Sequence, residues 1–289
     1  MAGVVCLGLA VLDVVQRVAA PPEWGRKHVS TSAEVVAGGP ATNAAVCAAR
    51  LLGSATLITG LGGGTAGAAV RAELSSYDVS VVDLAPPEWE LPVAACLVDP
   101  AGERMVVSPG ALSTPWGLSA AARDAVVGAD VLLLDGHHPV AAQEALDVAR
   151  EAGVRTVLDA GSAKPHAEAW LARLDVVAGS ADYAAGLGLD LTGAVEHALA
   201  AGAGAAVMTD GAAPLLVRER GMGEAVRVRP PGVRAVDTLG AGDAFHGALA
   251  AGLATGKGLV EACELAARVA ARRVEHAGAR AWLEGVTSP

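Results

Sequence analysis

The feature that most restricts this chain is a rhythm in which short Val/Leu runs alternate with longer alanine-rich stretches. Residues 4–9, 55–61, 131–134, 156–158, 176–178 and 205–209 have the apolar character of strands buried on both faces. Between them, residues 43–52, 119–127, 140–152 and 195–201 read as helices, because alanine is the strongest helix former. Strand and helix in turn imply an α/β fold, with a mostly parallel sheet covered by helices on both faces. Ligands of such sheets bind beyond the carboxyl ends of the strands.

Two stretches break the rhythm. Residues 14–36 carry Pro21-Pro22, Trp24 and a polar run, and residues 91–107 alternate apolar and polar side chains around Asp99-Pro100-Ala101-Gly102. Both read as antiparallel strands outside the parallel sheet. Together they form a small lid over the strand ends, or else two surface hairpins without function. No repeat or low-complexity linker interrupts the chain, so residues 1–289 are expected to form a single domain with the lid inserted in it.

The chemistry concentrates in Asp237-Thr238-Leu239-Gly240-Ala241-Gly242-Asp243, which runs into an alanine-rich helix. Small residues let the backbone approach a ligand closely. At a helix start their N–H groups and the helix dipole make an anion site, suited to charge developing on a transferring phosphoryl group. Asp243, in the first turn, is placed to accept a proton from an attacking hydroxyl. The competing reading of Asp243 is a simple helix cap.

This stretch resembles the C-terminal signature of the ribokinase-like, pfkB-type carbohydrate kinases. Gly38-Gly39-Pro40-Ala41-Thr42-Asn43 resembles their N-terminal signature, in the right order and in a chain of the right length. The resemblance implies a ribokinase-like three-layer α/β/α sandwich with a β lid. It implies phosphorylation of a sugar hydroxyl by ATP with Mg2+, with Asp243 as base and Gly240, Ala241 and Gly242 as anion hole. Asp13, Gly38, Gly39 and Asn43 match substrate-binding positions. Thr209, Gly211 and Thr238, with Gly240 and Gly242, match positions along the nucleotide. Asp237, beside Gly278-Ala279, matches a loop pair that holds a monovalent cation such as K+. His137 and the lid residue Lys27 are further substrate-contact candidates, Lys27 for an anionic substituent. Relatives pair their lids, so a homodimer is expected.

The sequence also departs from the family. Ser180-Ala181-Asp182-Tyr183 stands where many relatives have Asn-x-x-Glu, whose glutamate helps organise magnesium. Gly64 replaces an aspartate, and Pro40 replaces the lysine frequent in ribokinases proper, so ribose is not implied.

The residues also admit rival readings. Gly62-x-Gly64-x-x-Gly67, with Asp83 beyond, satisfies a dinucleotide fingerprint but leaves the Asp237–Asp243 stretch unexplained. A nucleoside kinase of the same fold would stack a base on aromatic rings, and Trp24 and Trp89 are the candidates. A non-catalytic sugar- or nucleotide-binding pseudokinase would not need Asp243. The net charge of −10 and the lack of a basic stripe argue against nucleic acid. No window reads as a membrane span or secretory signal, and the four isolated cysteines suit a reducing compartment, so a cytoplasmic enzyme is expected.

Overall fold

The computed structural model describes residues 2–100, 102, 104–109 and 114–287. Its layers follow from the twofold period of β1 (Val4–Leu7). Val4 and Cys6 join one buried cluster, with α1 (Pro40–Leu52), α2 (Thr65–Ser76), α8 (Ala241–Ala254) and α9 (Leu259–Val274). Val5 and Leu7 join another, with α3 (Ala120–Val127), α4 (Pro139–Ala152), the short α5 (Pro165–Glu168), α6 (Ala181–Gly186) and α7 (Leu191–Ala200). A strand apolar on both sides is thereby sandwiched between two helix layers.

The main sheet has nine strands among the described residues. In spatial order β11 (Ala205–Thr209), β10 (Val176–Ser180), β9 (Arg155–Ala160), β8 (Val131–Leu134), β1, β4 (Ala55–Thr59) and β5 (Val79–Asp83) run parallel. Beyond β11 the edge is antiparallel, through β12 (Leu215–Glu219) and β13 (Val226–Val228). Chain order reverses at β1, which lies between β4 and β8. A crevice opens at such a switch point.

A second sheet has the order β3 (Ser32–Gly38), β2 (Val11–Arg17), β6 (Val93–Val98) and β7 (Arg104–Val107). Ala101, within the turn read from the sequence, lies outside the described residues; Gly102 N–H donates to the Asp99 carbonyl at 3.0 Å. On the inner face Val15, Cys96 and Val98 are buried against Val36 and Leu239. Outward, Val35 (60% exposed), Val93 (47%) and Val107 (62%) leave an apolar surface bare. The sheet is therefore apolar on both sides, and only one side is covered.

Helices α1 and α8 touch where neither has bulk. A side chain at Gly247 would collide with the Ala44 carbonyl, and Cys47 Sγ donates to the Ala244 carbonyl at 3.2 Å.

Candidate functional site

Helix α8 begins at Gly240, whose φ of 74° is left-handed, where glycine carries no steric cost. The first N–H groups of the helix have no partner within it, and the helix dipole adds positive potential there. Asp243 lies in that first turn. A side chain at Gly242 would meet open space, so this end is accessible to a ligand.

Asn43, on the first turns of α1, donates its amide to Asp243 Oδ2 at 2.7 Å. Arg280 Nη1 donates to Asn43 Oδ1 at 2.9 Å, which fixes the amide so that its N–H group faces the carboxylate. Arg280 also donates to the Ala37 carbonyl at 2.6 Å and pairs with Glu73 at 3.1 Å. Asp13, on the inner face of β2, shares a cleft with Asn43, Gly240 and Arg280 that encloses about 420 Å3 including its open mouth.

The two glycines between these elements have separate causes. A side chain at Gly38 would occupy the place of the Asp13 carboxylate. Gly39 has φ 101° and passes directly over the Leu9 carbonyl. The helix it starts is capped from a distance: buried Asp135, just after β8, accepts from the Ala41 and Leu9 amides at 3.1 and 2.8 Å.

Carboxylates crowd this region. Burial raises the Asp243 pKa above its ordinary value; Asp159 adds to the rise, while the Asn43 hydrogen bond and His246 oppose it. Burial, with the charge of Asp243 next, pushes Asp13 up to about 6. Buried His246, one turn beyond Asp243, lies 3.0 Å from Asp159. Burial disfavours its charge, but Asp159 outweighs that and raises its pKa. Histidine charge thus offsets part of the repulsion between carboxylates.

Other sequence candidates fall elsewhere. Thr209 ends β11, its hydroxyl bonded to the Gly179 carbonyl at 3.2 Å, and Gly211 follows at φ 50°. Thr238 accepts from Ala241 N–H at 3.3 Å within the turn before α8. Lys27 is exposed on the loop between β2 and β3 and does not line the cleft. His137 is turned onto Asp135, with Nδ1 3.0 Å from the carboxylate, so the structure holds it within the protein and not in the cleft. The dinucleotide-like glycines form a structural turn. Asp83 accepts from the Leu61 and Gly62 amides at 2.9 and 3.1 Å and pairs with Arg71, leaving no free edge for a ribose.

Asp237 is the most heavily bonded of the sequence candidates. Its carboxylate is buried and is claimed by Arg17, by the Leu239 and Gly278 amides at 3.0 and 3.2 Å, and by Arg273 at 3.7 Å. Burial alone would raise its pKa, but the Leu239 amide and the two guanidinium groups outweigh this and lower it. Both carboxylate oxygens of Asp237 are thereby engaged within the protein. Tyr183, at the missing glutamate's position, is buried and donates its hydroxyl to Glu168 at 3.0 Å.

Arg17, Arg273, Arg280, Asp159 and His246 were not singled out from the sequence. Single arginines among alanines carry no local signal, and their partners lie far along the chain. His246 was the most findable, one turn after Asp243 on the same helix.

Known proteins share this fold. The description "pfkB family carbohydrate kinase" matches residues 1–284. An Agrobacterium tumefaciens protein assigned as a ribokinase has a TM-score of 0.87 at 27% identity, covering 98% of this chain and 94% of its own. Arabidopsis thaliana ribokinase, in complex with ribose and ATP, has a TM-score of 0.82 at 21% identity, covering 99% and 100%. Adenosine kinase from Sinorhizobium meliloti has a TM-score of 0.79 at 20% identity, covering 96% and 95%. The chain belongs to the pfkB family of carbohydrate kinases, enzymes that transfer a phosphoryl group from ATP to a hydroxyl.

Proposed function

We propose that this kinase phosphorylates a hydroxyl of a small sugar or sugar derivative held between the small sheet and the carboxyl ends of β1 and β8, with Asp243 as the base. The observation that carries the reading is Asp243 at an accessible helix start, bonded to Asn43, which shares a cleft with Asp13. Asp13 and Asn43 grip the acceptor's hydroxyls, and the backbone at Gly38-Gly39 fits against it. A carboxylate whose pKa is raised is a stronger base, which suits removal of a hydroxyl proton as the oxygen attacks phosphorus.

The Gly240–Gly242 amides stabilise charge on the transferring group, and positioning does most of the rest. The nucleotide lies along Thr209, Gly211 and Thr238 with its phosphates toward Gly240. Among the described residues no three His, Cys, Asp or Glu groups form a metal cluster. That suits Mg2+ carried in on ATP with most of its water kept. The small sheet acts as a lid that excludes water and limits hydrolysis of ATP.

Two further expectations belong to this reading. The bare apolar face at Val35, Val93 and Val107 suits pairing with a second copy. The four cysteines are buried free thiols, in keeping with a cytoplasmic protein; no helix among the described residues is long and apolar enough to cross a membrane. A nucleoside acceptor is less favoured, because Trp24 and Trp89 do not line the cleft.

The test is an ATP-consumption screen over ketoses, aldoses, their phosphates and nucleosides, with Asp243→Asn in parallel. Turnover should fall by about 10²–10⁴-fold, the usual share of a general base, with ATP affinity little changed. Near-normal turnover in that variant removes Asp243 from the mechanism.

A further inference from the structure

We propose that Arg17 and Arg273 take the place of a monovalent cation beside the anion hole, so that this kinase works without K+. The inference rests on the kinase reading above for its kinetic arm only. The loop at residues 237–240 and the turn at 276–279 face each other just before α8. A cation bridging them needs oxygen ligands, namely the Asp237 carboxylate and nearby backbone carbonyls.

The Asp237 carboxylate and the Asp237 and His276 carbonyls each already face an N–H donor. Arg273, 3% exposed at its side chain, reaches from the last turn of α9. Its Nη1 donates to the His276 carbonyl at 2.9 Å and to the Asp237 carbonyl at 3.4 Å, while Nη2 lies 3.7 Å from Asp237 Oδ2. Arg17, at the end of β2, donates to the same Oδ2. Gly278 and Leu239 amides occupy what remains. The Arg273 guanidinium thus spans the Asp237 and His276 carbonyls that a bridging cation would use.

Charge balance agrees. The inward-facing groups are two carboxylates, Asp237 and Glu34, the latter accepting from Ala279 N–H at 3.2 Å, and two guanidinium groups. Arg280, on the same turn, is matched by Glu73. Between these two loops the carboxylates and guanidinium groups balance, and an added cation would stand beside Arg17 and Arg273. The two arginines still do what a cation does here: they hold the Asp237 loop taut and keep positive charge behind Gly240–Gly242. They differ in origin, since Arg273 is fixed in the body of the protein while Arg17 arrives with the small sheet. Arg17 and Arg273 are positioning residues acting through Asp237.

The experiment compares KCl with tetramethylammonium chloride, an ion too large for such a site, at constant ionic strength and with the tetramethylammonium salt of ATP. For the unaltered enzyme, kcat and KM for ATP should change less than twofold; activation of tenfold or more by K+ overturns the proposal. A second readout needs no activity. Equilibrium dialysis with thallium(I), a K+ surrogate, should find no stoichiometric site, and one ion per chain at millimolar concentration overturns it. Arg17→Ala opens one half of the site and leaves Arg273 in the core. It should lose about tenfold in kcat in tetramethylammonium and regain at least half of that with K+. Arg17→Lys should stay close to normal. An Arg17→Ala enzyme that keeps full activity in tetramethylammonium, or is impaired but indifferent to K+, refutes the role of Arg17. Should the chain phosphorylate nothing, the dialysis result still decides the cation question alone.

Discussion

Asn43 and Asp243 stand 200 residues apart in the chain and are joined by a 2.7 Å hydrogen bond. That bond lowers the Asp243 pKa against the rise caused by burial and Asp159. In Asn43→Leu the opposing contribution is gone, so the carboxylate titrates at higher pH. A base works only when deprotonated, so the acidic limb of the kcat/KM profile should move to higher pH. Turnover at pH 7 should drop about 10–100-fold, within the range of a disturbed general base, and recover in part at pH 9. A limb that stays in place would uncouple the two residues.

Asp13 should cost stability in proportion to its charge. Its pKa is raised from 3.8 to about 6 in the folded chain, so the folded state favours the protonated form. The favourable contribution is complete below the unfolded value and disappears as pH rises through about 6. Asp13→Asn should therefore melt roughly 3 °C higher than the parent at pH 8, a shift expected from about 1 kcal/mol in a chain of this size. At pH 4 the difference should vanish. KM for the acceptor should rise in the same variant. Equal melting shifts at both pH values would mean that charge is not the cause.

Arg280 links four groups that sequence alone does not connect: Asn43, Ala37, Glu73 and the cleft wall. Arg280→Met leaves Glu73 with only the Ala37 amide and no counter-charge, and frees the Asn43 amide to flip. Urea denaturation should show a loss of about 2–3 kcal/mol, typical when one member of a largely buried hydrogen-bonded pair is removed. kcat should fall as well, because a flipped amide turns its oxygen toward Asp243. Loss of stability with kcat intact would limit Arg280 to the scaffold.

The outward face of the small sheet gives a prediction about assembly. Val35→Lys with Val107→Lys places charge on strands that expose these side chains by 60% and 62%. Light scattering should report a dimer for the parent and a monomer for the double variant. Such surface changes should move folding stability by less than about 0.5 kcal/mol. A parent that is already monomeric removes the pairing proposal.

Much of the fold was legible because it rests on periodicity. The runs at 131–134 and 205–209 coincide with β8 and β11, since a strand buried on both faces leaves an unbroken apolar mark. Alternation exposed the small sheet for the same reason, although β2 starts at Val11, earlier than its polar run suggests. What escaped was short or diluted. β13 is three residues long, β5 carries Ser80 and Asp83 among its five, and α9 mixes Glu and Arg among its alanines. At the site, Asp243 and Asn43 were readable because glycines mark the turns beside them. The arginines were not, because a long side chain meets its partner wherever the fold delivers one, as Arg17 does with Asp237.

The glycine contact between α1 and α8 has a consequence for how this enzyme tolerates change. Asn43 and Asp243 each precede, by one and four positions, the residues at which the helices press together, Ala44 and Gly247. The spacing of this hydrogen-bonded pair is thus inherited from a pivot made of a backbone carbonyl and a glycine. Bulk introduced at that pivot would act as a wedge and part donor from acceptor without altering either, so a position with no side chain sets the tolerance of the chemistry.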